Sequence, residues 1–197
     1  YNKTKEVSVC FFGDGTTNIG AFHEALNMAK IWDLPIVFVC ENNLYMEYTA
    51  ISEVTAVEHP AADRASAYSL DKIIVDGNDA DEMYRTAQTA IKKARDGHGP
   101  SLIEAKTYRH SGHSRADPGK YRPDEEVKDW MENKDPIKNY RQKLLEFNID
   151  EKTITGIESK IQQQVEEATN ISKNSPIPDI KEIYTDVWAD GGYKWHN

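Results

Sequence analysis

From Val7 to Phe12 the chain reads Val-Ser-Val-Cys-Phe-Phe, a β-prone run that stops at Gly13-Asp14-Gly15. Phe22, Ala25, Ala29 and Trp32 then recur at helical spacing, so residues 19–33 are predicted to form an amphipathic helix with Asn18 as its N-cap. After Pro35 comes Ile36-Val37-Phe38-Val39-Cys40, a continuous apolar run of the kind that forms a strand buried on both faces. The rhythm repeats: a helix at 60–69, the strand Lys72–Val75, a helix at about 79–96 and the strand Leu102–Ala105. On the longer of these helices Met83, Ala87, Ala90, Ile91 and Ala94 share one face, and Gly97 ends it. Strands and helices alternating in this way predict an α/β fold with a mostly parallel sheet and right-handed crossovers.

The texture changes after residue 107. Residues 108–122 hold two histidines, three arginines and several turn formers, and they are expected to form a long polar loop. Beyond Pro123 the chain is charged and helical, with helices expected at 123–133, 136–147 and 150–173 and a short last one at 179–187. The expected organisation is therefore an α/β core over 1–122 and a helical region over 123–197.

A length of 197 residues permits a core without disulfide or metal staples. The net charge is −9, from 24 basic and 33 acidic residues, which argues against general nucleic-acid binding, since that needs a basic face. No run approaches the roughly 18 apolar residues of a membrane-spanning helix. Cys10 and Cys40 both lie in apolar runs and are expected to be buried, reduced and inert. Trp32 is expected on the core face, and Trp188 and Trp195 are read as packing residues of the tail.

Open parallel sheets bind ligands beyond the carboxyl ends of their strands. Gly13-Asp14-Gly15 follows the first strand, and Asn42-Asn43 follows the second. The glycines allow a sharp turn and close backbone approach, and the following helix N-terminus would favour phosphate oxygens. Asp14 offers one anionic oxygen and Asn43 one amide oxygen. Together with a backbone carbonyl and phosphate oxygens they describe a magnesium site shared with a bound phosphate ester. Either cluster alone is also ordinary turn chemistry.

The spacing is more specific: Gly-Asp-Gly and Asn-Asn stand apart by residues 16–41, with strand, helix and strand in matching places. Gly13-Asp14-Gly15-Thr16-Thr17-Asn18-Ile19-Gly20, Phe22-His23-Glu24-Ala25-Leu26-Asn27, Glu41-Asn42-Asn43 and Thr107-Tyr108-Arg109-His110-Ser111-Gly112-His113-Ser114-Arg115-Ala116-Asp117-Pro118 carry a wider likeness. The chain resembles the alpha subunit of the thiamine-diphosphate-dependent dehydrogenase component of 2-oxo acid dehydrogenase complexes, of the pyruvate and acetoin type. The resemblance covers nearly the whole chain and places it in the C-terminal part of such a subunit, with cofactor contacts expected from residues upstream.

That resemblance implies a thiamine-diphosphate-binding fold and assigns roles by position. Asp14 and Asn43 would bind Mg2+ through side chains and Tyr45 through its backbone carbonyl. Gly13, Gly15 and Thr16 would lie against the diphosphate, His113 would be the catalytic histidine, and Arg109 would fix the cofactor or the loop. Ser114 occupies a position phosphorylated in some mitochondrial members, although a plain loop serine is the alternative. Met46 departs from the glycine of many members, and Ser111 from a second histidine. The glutamate that activates the aminopyrimidine ring is implied to come from a beta subunit, in an expected alpha2beta2 assembly.

The implied reaction is oxidative decarboxylation of a 2-oxo acid, pyruvate first, with acyl transfer to the lipoyl domain of an acyltransferase component. An acetoin dehydrogenase subunit is the alternative, and a chain with only an assembly role is the non-enzymatic one. Arg109, Arg115 and Arg122 could steer a carboxylate or lock the loop, while Asp117-Pro118-Gly119 is read as a turn of secondary importance. The expected location is the bacterial cytoplasm, or else the mitochondrial matrix.

Overall fold

The computed structural model describes residues 4–185. Four strands, β1 (Ser8–Gly13), β2 (Ile36–Asn42), β3 (Ile73–Asp76) and β4 (Ser101–Lys106), form one parallel sheet in the order β1-β2-β4-β3. Helices α1 (Gly20–Ile31) and α4 (Ala80–Arg95) lie on opposite faces of it. Two four-residue helices, α2 (Ile51–Val54) and α3 (Ala62–Ala65), fall in the β2–β3 crossover. The alternation of strands and helices and the parallel sheet read from the sequence are both observed.

The pleat sorts the central strands into two cores. Phe38, Cys40 and Leu102 face α1, which buries Phe22, Leu26 and Ala29 against them. Val37, Val39, Ile103 and Val75 face α4, which buries Ala90 and Ala94. Each large aliphatic side chain removed from water in this way is worth about 1.5–3 kcal/mol. The ends of α4 are well specified: Asp79 accepts from the backbone N–H groups of Asp81 and Glu82 at 2.9 and 3.0 Å. Lys92, Lys93 and Arg95 occupy its last turn, where the helix dipole favours cations.

Several expectations are corrected here. The buried stripe of α1 runs Phe22-Leu26-Ala29, so Ala25 beside it is exposed. Trp32 is 62% exposed and not on the core face. It stands after the last turn, and the chain then reverses through Asp33 at φ +45°, which carries the indole off the stripe. Asn18 does not cap α1: Ile19 holds the N-cap position, and the Asn18 amide donates to Val54 O and Thr55 Oγ1. A 3-10 turn (Asp14–Asn18) separates the Gly-Asp-Gly motif from the α-helix, so the backbone beside the motif belongs to that turn.

Cys10 is exposed, whereas Cys40 is buried as expected. The reason is position, because β1 is an edge strand that neither helix crosses fully; Phe11 on its other face is 63% exposed. The helix expected at 60–69 is two pieces, α3 and a 3-10 turn (Ser66–Tyr68) that ends with Ser69 at φ +56°. After the loop come α5 (Asp124–Asn133) and α6 (Pro136–Glu146).

The chain divides into two compact units, residues 1–144 and 145–197. Within the second unit α7 (Glu151–Asn174) starts at Asp150, which accepts from Thr153 N at 2.8 Å. Its apolar residues Ile157, Ile161 and Val165 are exposed. A 3-10 turn (Ile180–Tyr184) follows it where a short helix was expected. Trp188 and Trp195 lie outside the described residues. Among the described residues no helix is long and apolar enough to cross a membrane.

Candidate active site

The parallel register brings the two motifs together. Phe12 pairs with Cys40 and Gly13 with Glu41, so Asp14 and Asn42-Asn43 leave adjacent strands at the same edge of the sheet. Asp14 is 2% exposed. Its Oδ1 accepts from Gly15 N at 2.9 Å, and its carbonyl accepts from the Thr17 hydroxyl at 2.7 Å. Oδ2 is buried and has no partner. Burial raises the Asp14 pKa above the ordinary carboxylate value, only partly offset by the Gly15 N–H and the charge of Arg109.

Past β2 the chain makes a tight turn with Leu44 at φ +73°. Asn42 Oδ1 accepts from Leu44 N at 3.0 Å, and Asn43 Oδ1 accepts from Tyr45 N at 3.1 Å. These side-chain-to-backbone bonds are the Asx geometry that lets asparagine replace backbone partners in a turn. Met46 then returns over the first motif. A Cβ built on Gly15 would sit 3.1 Å from Met46 Cγ, so the glycine accommodates this side chain.

Loop 108–122 closes over the same edge through side chains. The Arg109 guanidinium donates to Met46 O and Glu47 O at 3.1 Å each, to the Tyr121 hydroxyl at 2.8 Å, and to His113 Nδ1 at 2.9 Å. A guanidinium can only donate, so Nδ1 is the acceptor and the neutral imidazole carries its proton on Nε2. Asp117 accepts from His113 N at 2.6 Å, from Gly119 N at 2.8 Å and from the Tyr121 hydroxyl at 2.8 Å. Partial burial raises its pKa, but these donors and Arg109 outweigh that and leave it below the ordinary value.

Arg122 is the loop's pin. It is buried and donates to the carbonyls of Arg109 and Ser111. Its guanidinium lies 5.3–5.9 Å from the rings of Tyr45, Tyr108 and Tyr121. Tyr108 in turn stacks on Trp130 of α5 at 5.1 Å and donates to Glu126. Of the two roles left open for the arginines, Arg122 locks the loop, whereas Arg115 is exposed. Asp117, expected to be secondary, is central to the loop's order.

The chain's own groups suit a diphosphate-bound cation. One buried unpartnered carboxylate oxygen, one amide oxygen and the Tyr45 carbonyl are hard donors, too few for a dedicated cation cage. Among the described residues no three His, Cys, Asp or Glu side chains gather in a metal-binding group. Phosphate oxygens would complete such a set. A cavity of about 450 Å3 lies behind the turn, lined by Asn42, Leu44, Tyr45, Ile51, Thr55 and Glu126.

Three residues that tie the site together escaped sequence reasoning. Arg64 of α3 donates to Thr17 O and, at 2.9 Å, to Asn18 Oδ1. Thr17 is wholly buried, and Glu104 is a buried carboxylate in mid-strand. Only Glu104 left a signal, a charge inside the apolar run Leu102–Ala105.

This arrangement gathers a buried carboxylate, an asparagine turn and a histidine-bearing loop at the strand tips of a parallel α/β sheet. The chain belongs to the dehydrogenase E1 component family, whose model matches residues 1–181. It is 44% identical over 189 residues to the alpha subunit of acetoin:2,6-dichlorophenolindophenol oxidoreductase of Bacillus subtilis, covering 96% of this chain and 56% of that protein. It is 38% identical to the pyruvate dehydrogenase E1 component subunit alpha of Zymomonas mobilis (95% and 52%). The chloroplastic pyruvate dehydrogenase subunit alpha-3 of rice is 41% identical (94% and 43%). The chain spans about half the length of the curated relatives it matches. Its architecture is that of a thiamine-diphosphate-binding fold, and the family implies thiamine diphosphate as cofactor.

Proposed function

We propose that the chain supplies the alpha-subunit half of a thiamine-diphosphate- and Mg2+-dependent 2-oxo acid dehydrogenase, with pyruvate as substrate and a beta subunit completing the site. The observation that carries this reading is the buried, unpartnered Oδ2 of Asp14 beside the Asn43–Tyr45 turn. Asp14 Oδ2, the second lone pair of Asn43 Oδ1 and the Tyr45 carbonyl would hold the cation. Gly13, Gly15 and Thr16 would give the diphosphate close backbone approach. The bound cofactor supplies a carbon nucleophile for the 2-oxo carbonyl and a sink for the electron pair released with carbon dioxide.

The protein's part is to position and to move protons. His113, exposed on the loop and held at Nδ1 by Arg109, keeps a proton at Nε2 to donate where negative charge develops on the substrate oxygen. Arg109 fixes both that histidine and the Met46–Glu47 backbone over the diphosphate site. In this reading the two-carbon unit left by decarboxylation would be oxidised to the acyl level as its electron pair reduces a lipoyl disulfide of an acyltransferase component, leaving one thiol and one acyl thioester. The higher identity to the acetoin enzyme favours acetoin as a second substrate reading.

Calorimetric titration of thiamine diphosphate with Mg2+, into the chain alone and co-expressed with a beta subunit, tests the proposal. Binding that requires Mg2+, strengthens with the partner and vanishes in Asp14→Ala supports it. A folded sample that binds in neither state overturns it. Turnover of pyruvate against acetoin then separates the two substrates.

A further inference from the structure

Glu104 stands in the middle of β4, in register with Cys40 of β2 and Ile74 of β3, and is completely buried. A buried carboxylate persists only where donors replace its water. Here there are four. Oε1 accepts from Asn42 Nδ2 at 2.7 Å and pairs with Lys106 Nζ at 2.8 Å. Oε2 accepts from the backbone N–H groups of Ala61 and Ala62 at 3.0 and 2.8 Å.

The two oxygens face two branches. Through Oε1, Glu104 orients the Asn42 amide, leaving its Oδ1 to hold Leu44 N. That bond stabilises the left-handed Leu44 and sets the turn presenting Asn43 and the Tyr45 carbonyl. Through Oε2, Glu104 anchors the start of α3, whose Arg64 grips Thr17 O and Asn18 Oδ1. That grip fixes the 3-10 turn which begins at Asp14. Glu104 reaches the proposed cation ligands Asp14, Asn43 and Tyr45 only through Asn42 and Arg64.

We propose that Glu104 is a positioning residue that sets the spacing of the two halves of the cation site, one through Asn42 and the other through α3 and Arg64. The proposal rests on the functional reading above for its purpose, but the mechanical coupling stands on the contacts alone. The amide of Glu104→Gln keeps size and burial yet puts an N–H2 group against either Asn42 and Lys106 or the Ala61 and Ala62 N–H groups. Either way one branch meets donor against donor.

The test is amide hydrogen exchange on the full chain, paired with the Mg2+ concentration that half-saturates thiamine diphosphate binding in the presence of the beta subunit. Arg64→Ala is expected to speed exchange in 14–18 alone, Asn42→Ala in 43–46 alone, and Glu104→Gln in the segment of whichever branch its N–H2 group faces, each by about tenfold. Glu104→Gln is also expected to raise the half-saturating Mg2+ by about tenfold, the usual effect of losing a residue that orients metal ligands. A merely structural ion pair with Lys106 would lower the unfolding midpoint and leave the Mg2+ requirement of the folded protein unchanged.

Unchanged exchange in both segments of folded Glu104→Gln overturns the proposal, as does an unchanged Mg2+ requirement. If Glu104→Gln does not fold, the single-branch variants decide: selective loosening supports the proposal, and no loosening overturns it. If the unaltered chain binds no cofactor, the functional reading falls while the exchange pattern still judges the coupling.

Discussion

The two parts of the candidate site are held in different ways. The strand-tip part, Asp14–Asn18 and Asn42–Met46, grows directly out of β1 and β2 and is braced from beneath by Glu104. The loop part, 108–122, has one strand behind it and is ordered by arginine, aspartate and tyrosine side chains. Ladder and core contacts shared with the whole sheet steady the strand ends from which the tips grow. The loop's bonds are its own and can break locally. The difference assigns rigidity to Asp14, Asn43 and Tyr45, the proposed cation ligands, and independent mobility to His113.

Breaking the sheet should have the largest effect. Leu102 is completely buried between β2 and α1, and Leu102→Ala is expected to cost about 3 kcal/mol of global stability, read as a lower denaturation midpoint. Strand tips and loop should fail together in that variant. Arg122→Ala should separate them: losing contact with three tyrosine rings and two carbonyl bonds costs about 2–3 kcal/mol, confined to the loop. Limited proteolysis within 109–121 should then accelerate by roughly a hundredfold while the denaturation midpoint stays near its original value.

Asp117→Asn leaves one of three donors facing an amide N–H2 and should speed loop cleavage by about tenfold. Its pH dependence has a definite sign. The folded pKa lies below the ordinary 3.8, so the ionised carboxylate contributes loop order above that value and loses it as pH falls through the lowered one. The difference in loop protection between the unaltered chain and Asp117→Asn, read with an acid-stable protease, should persist down to about pH 5 and vanish only below about pH 3.8. A difference already lost at about pH 5 would transfer the role to another group.

The smallest effect concerns the contact between the strand tips. Gly15→Ala would push a methyl to 3.1 Å from Met46 Cγ, a flexible side chain that can yield. A several-fold loss of thiamine diphosphate affinity is expected, about one kcal/mol. Combining it with Met46→Gly should restore most of that loss, and calorimetry of the single and double variants measures the coupling. Additive effects would place Met46 away from the diphosphate path.

What was readable in advance followed from local physics. Alternating apolar runs and glycine stops predicted the four strands found among the described residues and their parallel pairing. Strand-end position marked Gly13-Asp14-Gly15 and Asn42-Asn43, and the parallel register does bring these two clusters to one edge of the sheet. The errors arose where neighbours decide. Cys10 sits in as apolar a run as Cys40, but its strand is at the edge. Trp32 has the right spacing for the α1 stripe, but the helix has already ended. Asn18 has the composition of a cap, but a 3-10 turn intervenes and Arg64, 46 residues away, takes its oxygen.

The sequence by itself therefore determined the alternating layers, the chemical types at the strand tips and the family likeness, because periodicity, turn propensity and motif spacing are properties of short stretches. Only the tertiary structure decided which arginine is a buried pin, that Asp117 organises its loop, and that Glu104 connects both halves of the site. Those roles depend on hydrogen bonds between residues far apart in the chain, as Asn42 and Glu104 are, and such partners become neighbours only when the parallel strands pair.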